Sequence, residues 1–524
     1  MSKLPSLYYI VFLYGFLSVI VSLFLYNLKN FYVFFQKFSK NKILLFSFFI
    51  FIVALVLREY IIPHMHHVYY DEFYYSNIAK NIYHHGIFGP TLLGNIFNPE
   101  VVGIPIRPGG YSFLLNFAFR IFGDSQEVIF QTNIFFGALS VVLVFWIAYF
   151  LSEGNLSVGL WSVLIFNFLP IHLKYSGSGI SEISASFFIL MAIWITIVYF
   201  KTRKHSLLYL LNLVIIFSAY IKPENAILSL FAIALVILEY KKGYISKETF
   251  LAVTINSGLL LAPLISQIPH MIRIEQTNSK NSFVSINNFF NNIIPNLQYL
   301  IDFRFHSVIG TIFFLIGSLV IFIKKIKLGF LLVFFFLVFY FINTSYFMGR
   351  FSLLYSSDSD RHFLISVIPF SILAGYGIYS ALSNLRQRLL SLIFTFLILG
   401  AIISNSYFTT KNITNFTFGR QVYKEYLFLQ KHKDRLPKDQ YILCYEPEFI
   451  IHITNNKVMT FNIFQSLKIP PRSIILFKGY WWFARVDESL QYEETLEKLY
   501  NIKLMSEEEI GHDKKCAFYL LTKK

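Results

Sequence analysis

The sequence predicts a mainly α, polytopic membrane protein of about twelve spans, followed by a small extracytoplasmic α/β domain. Three observations carry that expectation. Of the 524 residues 56% are hydrophobic and only 14% charged, and the mean hydropathy is +0.56, which excludes an ordinary soluble enzyme. Apolar runs of spanning length alternate with short loops rich in Lys and Arg. Beyond about residue 408 that pattern gives way to a polar segment of short strand-like and helix-like runs.

The first apolar run covers 6–27. Its end, Tyr26-Asn27-Leu28-Lys29, lacks the small residues of a cleavage site, so it reads as an anchor and not a signal peptide. Lys29, Lys37, Lys40 and Lys42 follow, which places that linker in the cytoplasm. Residues 1–42 are thus an extra helix with a cytoplasmic linker, and 43–407 the membrane module. The second span, about 43–62, opens a large outer loop, 63–127. In that loop Tyr74, Ile78 and Ile82 recur at helical spacing and His84-His85-Gly86 supplies a stop, so a helix begins near Asp71. Residues 111–122 are apolar but too few to span; they read as an interfacial helix ended by Gly123.

Further spans fall at about 128–151, 157–172 and 180–200, with His172 to Gly179 as a second outer loop. Runs 207–221 and 225–240 flank Lys222-Pro223-Glu224, where proline breaks the helix into a hairpin whose tip faces outside. A span at 249–266 precedes an Asn-rich loop, 267–305. Spans at 306–323, 328–347, 362–380 and 389–407 complete the module. The basic loops agree on one orientation, so the net charge of +16 sets topology and gives no sign of a nucleic-acid partner. In the tail, 408–524, strand-like runs at Tyr441–Tyr445, Ser473–Phe477 and Ala517–Leu521 surround a helical pattern near Glu488–Tyr500. Asn412 and Asn415 begin acceptor sequons. Cys444 and Cys516 make no metal framework, and an exported tail would let them pair.

This topology gathers Asp71, Glu72, Arg107, Glu182, Lys222, Glu224, Asp358, Asp360 and Arg361 on one face. Acidic groups at membrane depth are costly and mark a functional site. A carboxylate can take a proton from an attacking hydroxyl or amine, while Arg and Lys hold a phosphate leaving group. Each has a plain alternative: Asp71 and Glu182 as helix caps, Arg107 and Lys222 as headgroup anchors, Arg361 as a partner of Asp358 or Asp360. His64, His66 and His67 lie near Asp71 and could suggest a metal, but no ligand spacing repeats elsewhere, so they read as interfacial histidines.

Asp71-Glu72-Phe73-Tyr74-Tyr75, with Ile78 to Ile82 and His85-Gly86 after it, resembles the first-loop motif of the GT-C membrane glycosyltransferases. The nearest branch holds the protein O-mannosyltransferases and the lipid A aminoarabinose transferases. Arg107-Pro108-Gly109-Gly110-Tyr111 is similar to that branch's second loop element, though a further Pro usually stands where Gly109 does. Lys222-Pro223-Glu224 is similar to its Arg-Pro-Glu tip, and Asp360-Arg361-His362-Phe363 with Pro369 to its late Arg-Tyr…Pro element. The resemblance covers about 43–380. It implies an integral-membrane transferase using a polyprenyl-phosphate sugar donor and no metal or other cofactor, with inversion, outside the cytoplasm of a prokaryote. The acceptor would be a protein, glycolipid or glycan. Asp71 would be the base, supported by Glu72; Arg361, Lys222 and Arg107 would contact the donor phosphate; Glu182, Glu224 and Tyr75 would belong to an acceptor or second acidic site. A transporter or lipid flippase, or another lipid-linked transferase or ligase, is the alternative; transporters commonly show paired repeats, and none is evident here.

Overall fold

The computed structural model describes the chain except residues 1–2, 39–40, 68, 279–284, 303–306, 325, 346–357, 386, 419–420 and 512–513. The expected roles of Asp358 and Asp360 rest on side chains outside the described residues, as do the expected sequons at Asn412 and Asn415.

Helices α1 (Lys3–Phe38) and α2 (Asn41–Tyr60) lead to a surface helix, α3 (Tyr69–His85), which Gly86 ends at φ +63°. A short hairpin of β1 (Thr91–Gly94) and β2 (Pro99–Val102) separates α3 from α4 (Gly110–Phe122), the short apolar helix ended by Gly123. The bundle continues through α5 (Gln126–Leu151), α6 (Leu156–Asn167), α7 (Pro170–Ser176), α8 (Ser181–Thr202) and α9 (His205–Ile221). Pro170 helps break α6 from α7, whose axes meet at 60°. A 3-10 turn, Pro223–Ile227, takes the place of the expected hairpin tip and leads into α10 (Leu228–Lys241).

Then follow α11 (Lys247–Asn278), α12 (Ile286–Tyr299), α13 (Val308–Lys324), α14 (Lys327–Ser345), a 3-10 turn at Asp358–Leu364, α15 (Val367–Ser383) and α16 (Arg388–Phe418). The region expected as an Asn-rich loop is largely helical. Asparagine disfavours a helix only where its amide competes with the backbone, and here the amides have tertiary partners. Asn292 Nδ2 donates to the Thr344 carbonyl at 3.0 Å, and Asn296 Nδ2 to Thr344 Oγ1 at 3.1 Å.

Among the described residues, seven helices are long and apolar enough to cross a membrane, and the bent α6–α7 pair makes an eighth; α9, α13, α14 and α15 are shorter apolar helices packed with them. The expected total of about twelve requires all of these to span. Burial divides them: 72% of the windows in α5 and α8 is covered by protein, against 17% in α11 and α16. The former make the bundle centre and the latter its rim. Helix α1, expected as an extra membrane helix, packs into the core. Tyr9 stacks on Phe88 at 4.4 Å, and Tyr14 donates to Asn116 Oδ1 at 2.7 Å.

The tail begins with α17 (Gln421–His432) and forms β3 (Tyr441–Cys444), α18 (Pro447–Thr454), β4 (Lys457–Thr460), α19 (Phe461–Ser466), β5 (Ser473–Lys478), α20 (Tyr480–Ala484), α21 (Val486–Leu499), β6 (Tyr500–Gly511) and β7 (Lys514–Lys523). The sheet order is β2-β1-β4-β3-β5-β7-β6. Strand β3 runs parallel to β4 and β5, and β7 runs antiparallel to β5 and β6. The apolar runs of β3 and β5 suit buried parallel strands. The loop hairpin completes the same sheet, since β1 pairs antiparallel with β4 through Leu93↔Met459 and Gly94↔Val458. The domain is therefore assembled from two distant parts of the chain. Cys444 and Cys516 are both buried free thiols, so the pairing considered from sequence is not made.

Candidate active site

Helix α3 is clamped before its carboxylates can act. Glu72 is fully buried; its Oε1 accepts from the His67 amide at 2.8 Å, and its Oε2 from the Gly179 amide at 2.7 Å and from His66 Nδ1 at 2.6 Å. On the other side of the ring, His66 Nε2 lies 2.7 Å from the Gln126 amide nitrogen. With Gln126 donating to Nε2, the Nδ1 side of the ring is directed at Glu72. A Cβ at position 179 would sit 2.9 Å from Glu72 Oε2, so the contact needs glycine. Glu72 thus ties the start of α3 to the α7–α8 connection, and its acceptor sites face away from Asp71's partners.

Asp71, at the first turn of α3, points the other way. Its Oδ1 lies 2.8 Å from Arg107 Nη1 and its Oδ2 2.6 Å from Arg361 Nη1. Arg361 Nε continues to Glu182 Oε1 at 3.5 Å, and the same oxygen receives Lys222 Nζ at 3.1 Å. Cations and carboxylates alternate along this chain, with three cations against two carboxylates. Burial alone would raise the Asp71 carboxyl, but the charges and hydrogen bonds of Arg107 and Arg361 outweigh it and hold it well below the usual carboxylate range. His362 sits beside the network; burial, then the charges of Lys222 and Arg361, push its imidazole well below its ordinary value.

Each member comes from a different element. Arg107 lies in the loop before α4. Gly110 lets that helix start directly on the Tyr220–Ile221 backbone, where a Cβ would lie 2.6 Å from the Tyr220 carbonyl carbon. This brings the Arg107 loop to the end of α9, where Lys222 emerges. Glu182 opens α8, and Arg361 comes from the 3-10 turn before α15. Tyr75 hydrogen-bonds Arg107, which also lies 5.9 Å over its ring. Glu224, grouped with these from sequence, is exposed on the turn after Lys222 and joins none of their ion pairs. Tyr74, one turn beyond Asp71, accepts the Ile106 amide at 2.7 Å and so fixes the residue before Arg107. Sequence reasoning assigned no role to Tyr74 or to the His66–Gln126 support; the (i, i+3) spacing of Tyr74 from Asp71 is the signal for the first.

Among the described residues, Glu59, His64 and Glu127 offer three metal-ligand atoms within 4.8 Å of one another. Gln131 Nε2 already bridges the two carboxylates there, at 2.8 Å from Glu59 and 3.1 Å from Glu127. This group shares no ion pair with the Asp71 network.

The fold is that of the GT-C membrane glycosyltransferases. The apo structure of ArnT from Cupriavidus metallidurans aligns over 92% of this chain and 98% of its own, with a TM-score of 0.58 at 11% identity. Its structure bound to undecaprenyl phosphate aligns over the same shares with a TM-score of 0.52. The oligosaccharyltransferase AglB from Archaeoglobus fulgidus, in complex with an inhibitory peptide and a dolichol-phosphate, aligns over 90% of this chain and 73% of its own, with a TM-score of 0.52 at 11% identity. Residues 41–238 match the family model of dolichyl-phosphate-mannose-protein mannosyltransferase. That stretch contains Asp71, Arg107, Glu182 and Lys222, but not Arg361. No curated protein matches the chain by sequence.

Proposed function

We propose that this protein transfers a sugar from a polyprenyl-phosphate donor to an acceptor hydroxyl or amine on the extracytoplasmic side of the membrane, with inversion. One observation carries the reading: Asp71 is gripped by two guanidiniums, one of which leads on to a second carboxylate and a lysine. The surplus positive charge of this network suits a phosphate. The family match and the lipid-phosphate-bound neighbours agree with it.

In the proposed mechanism the donor phosphate takes over the Arg361 guanidinium, assisted by Lys222. Asp71 then keeps only Arg107, and its basicity rises toward what proton transfer requires. The acceptor oxygen or nitrogen attacks the anomeric carbon as the bond to the phosphate oxygen breaks. The acceptor proton passes to Asp71, and the polyprenyl phosphate leaves with its new negative charge held by Arg361 and Lys222. Glu182 holds both cations in place between turnovers. Glu72, expected as a catalytic partner, acts here as a positioning residue for α3. An apolar cavity of about 260 Å³ between α8, α9, α10 and α14, lined by Ile189, Ile215, Leu235 and Phe335 among others, would take part of the prenyl chain.

The test is incubation of the purified protein with a panel of polyprenyl-phosphate sugars and acceptors, comparing wild type with Asp71→Asn. Donor-dependent transfer that collapses in the variant is expected. Absence of transfer from every lipid-phosphate donor would sink the assignment.

A further inference from the structure

A second cavity, of about 470 Å³, lies between the first outer loop and the C-terminal domain. Tyr74, Leu92 and Ile106 form its loop side; Glu446, Glu448, Phe461, Arg485, Glu488 and Tyr492 are prominent on the other. Arg485 is the one basic residue in the lining, against three carboxylates. It lies 3.7 Å from Glu488 and 5.2 Å over the Tyr445 ring. Glu448 is only 7% exposed, and its carboxylate's hydrogen bond is to its own amide. Buried carboxylates are ordinarily paired with a cation, and the described residues bring none to Glu448. Burial first, and then the charge of Glu448, push Glu446 up to about 8 against the opposing charge of Arg485, while burial pushes Glu448 up to about 7. Aromatic rings and carboxylates together are the chemistry that receives an ammonium or guanidinium group.

Two further facts locate the occupant. The cavity adjoins the reacting centre: Tyr74 is one turn from Asp71, and Ile106 directly precedes Arg107. Its described lining comes from the first outer loop and the C-terminal domain and from no membrane-spanning helix, a position suited to a water-soluble chain. We infer that this cavity is the subsite for a basic side chain of a polypeptide acceptor, seating a Lys or Arg beside the hydroxyl residue presented to Asp71. The inference rests on the glycosyltransferase reading and names its acceptor class.

The test uses full-length protein in detergent and short peptides containing Ser or Thr that differ only in a neighbouring Lys or its neutral isostere norleucine. Binding is measured calorimetrically without donor. The expected result is at least a tenfold preference for the Lys peptide. It should shrink as salt rises, and vanish in Glu446→Gln/Glu448→Gln while polyprenyl-phosphate affinity stays unchanged. Equal affinities in the wild type would overturn the inference, a comparison that does not depend on the variant folding. So would a preference that survives the double substitution. Tight binding of an amine-bearing glycolipid in place of the peptides would overturn the polypeptide assignment. Lys-selective binding with no transfer from any donor would sink the transferase reading and leave a basic-peptide site, whereas transfer indifferent to Lys would sink the subsite alone.

Discussion

At the scale of single residues, the decisive fact is that Asp71 has a guanidinium on each oxygen. The Asp71→Asn variant keeps the shape and loses the proton acceptor, so transfer should fall by about 10²–10⁴-fold while polyprenyl phosphate still binds. Wild-type rates in that variant would remove Asp71 from the chemistry. Arg361→Ala deletes charge-assisted bonds worth about 1.5–3 kcal/mol, so donor affinity should drop roughly 10- to 100-fold, with Arg361→Lys in between. A donor titration by fluorescence quenching checks this; an unchanged affinity would argue against phosphate contact. Glu72→Gln tests positioning. It weakens three hydrogen bonds to a buried group and should cost about 2–4 kcal/mol of stability, seen as a lowered melting temperature. Turnover should fall with donor affinity nearly constant.

At the scale of elements, the approach of α13 to α15 governs where Arg361 sits. A Cβ on Gly317 would lie 1.9 Å from the Leu373 carbonyl oxygen, and one on Gly377 2.0 Å from that of Phe313, so the two backbones touch. Small residues at such crossings let helices in lipid pack closely. Gly377→Leu should force the pair apart, by overpacking worth about 1–3 kcal/mol or more, and displace the turn that carries Arg361. Detergent melting and donor affinity should both suffer; an unaffected variant would show that this crossing does not position the site. Much of the element layout was legible in the sequence. The i+4 recurrence from Tyr74 and the Gly86 stop match α3, Gly123 ends α4, and proline interrupts the chain after Lys222. Bundle centre and rim were not legible, because lipid is as apolar as a neighbouring helix and α8 and α16 carry similar runs. Strands β1, β2 and β4 were also hidden, since Thr91–Gly94, Pro99–Val102 and Lys457–Thr460 each hold only two adjacent apolar residues, whereas the equally short β3 is apolar throughout.

For the whole molecule, the interface between the membrane module and the C-terminal domain concentrates unusual acids. Burial raises the Glu425 carboxyl to about 7, even though the Tyr480 amide and Tyr70 hydroxyl donate to it. Glu446 and Glu448 are raised as well. A carboxyl whose folded value exceeds its unfolded one binds more protons when folded. Its contribution to stability is therefore complete below about pH 4.5 and is lost as pH rises through 7 to 8. We expect the melting temperature in detergent to fall between pH 5 and pH 8, and Glu425→Gln to flatten that slope. A profile that climbs over the same window would contradict the assignment. Asp71 works with the opposite sign but only below about pH 4, outside this window. The sequence placed five of the interacting groups, Asp71, Arg107, Glu182, Lys222 and Arg361, on one face, because charges in an apolar chain stand out. It did not reveal the Glu425, Glu446 and Glu448 trio, since acids in a polar tail look like ordinary solvated surface.

The β1–β4 pairing has a practical corollary for engineering. A chimaera that grafts a foreign tail onto this bundle would arrive without a matching edge for the hairpin, and removal of the native tail would strip a covering from α3. Loop and tail are halves of one lock, and should be exchanged between proteins only as a cognate pair.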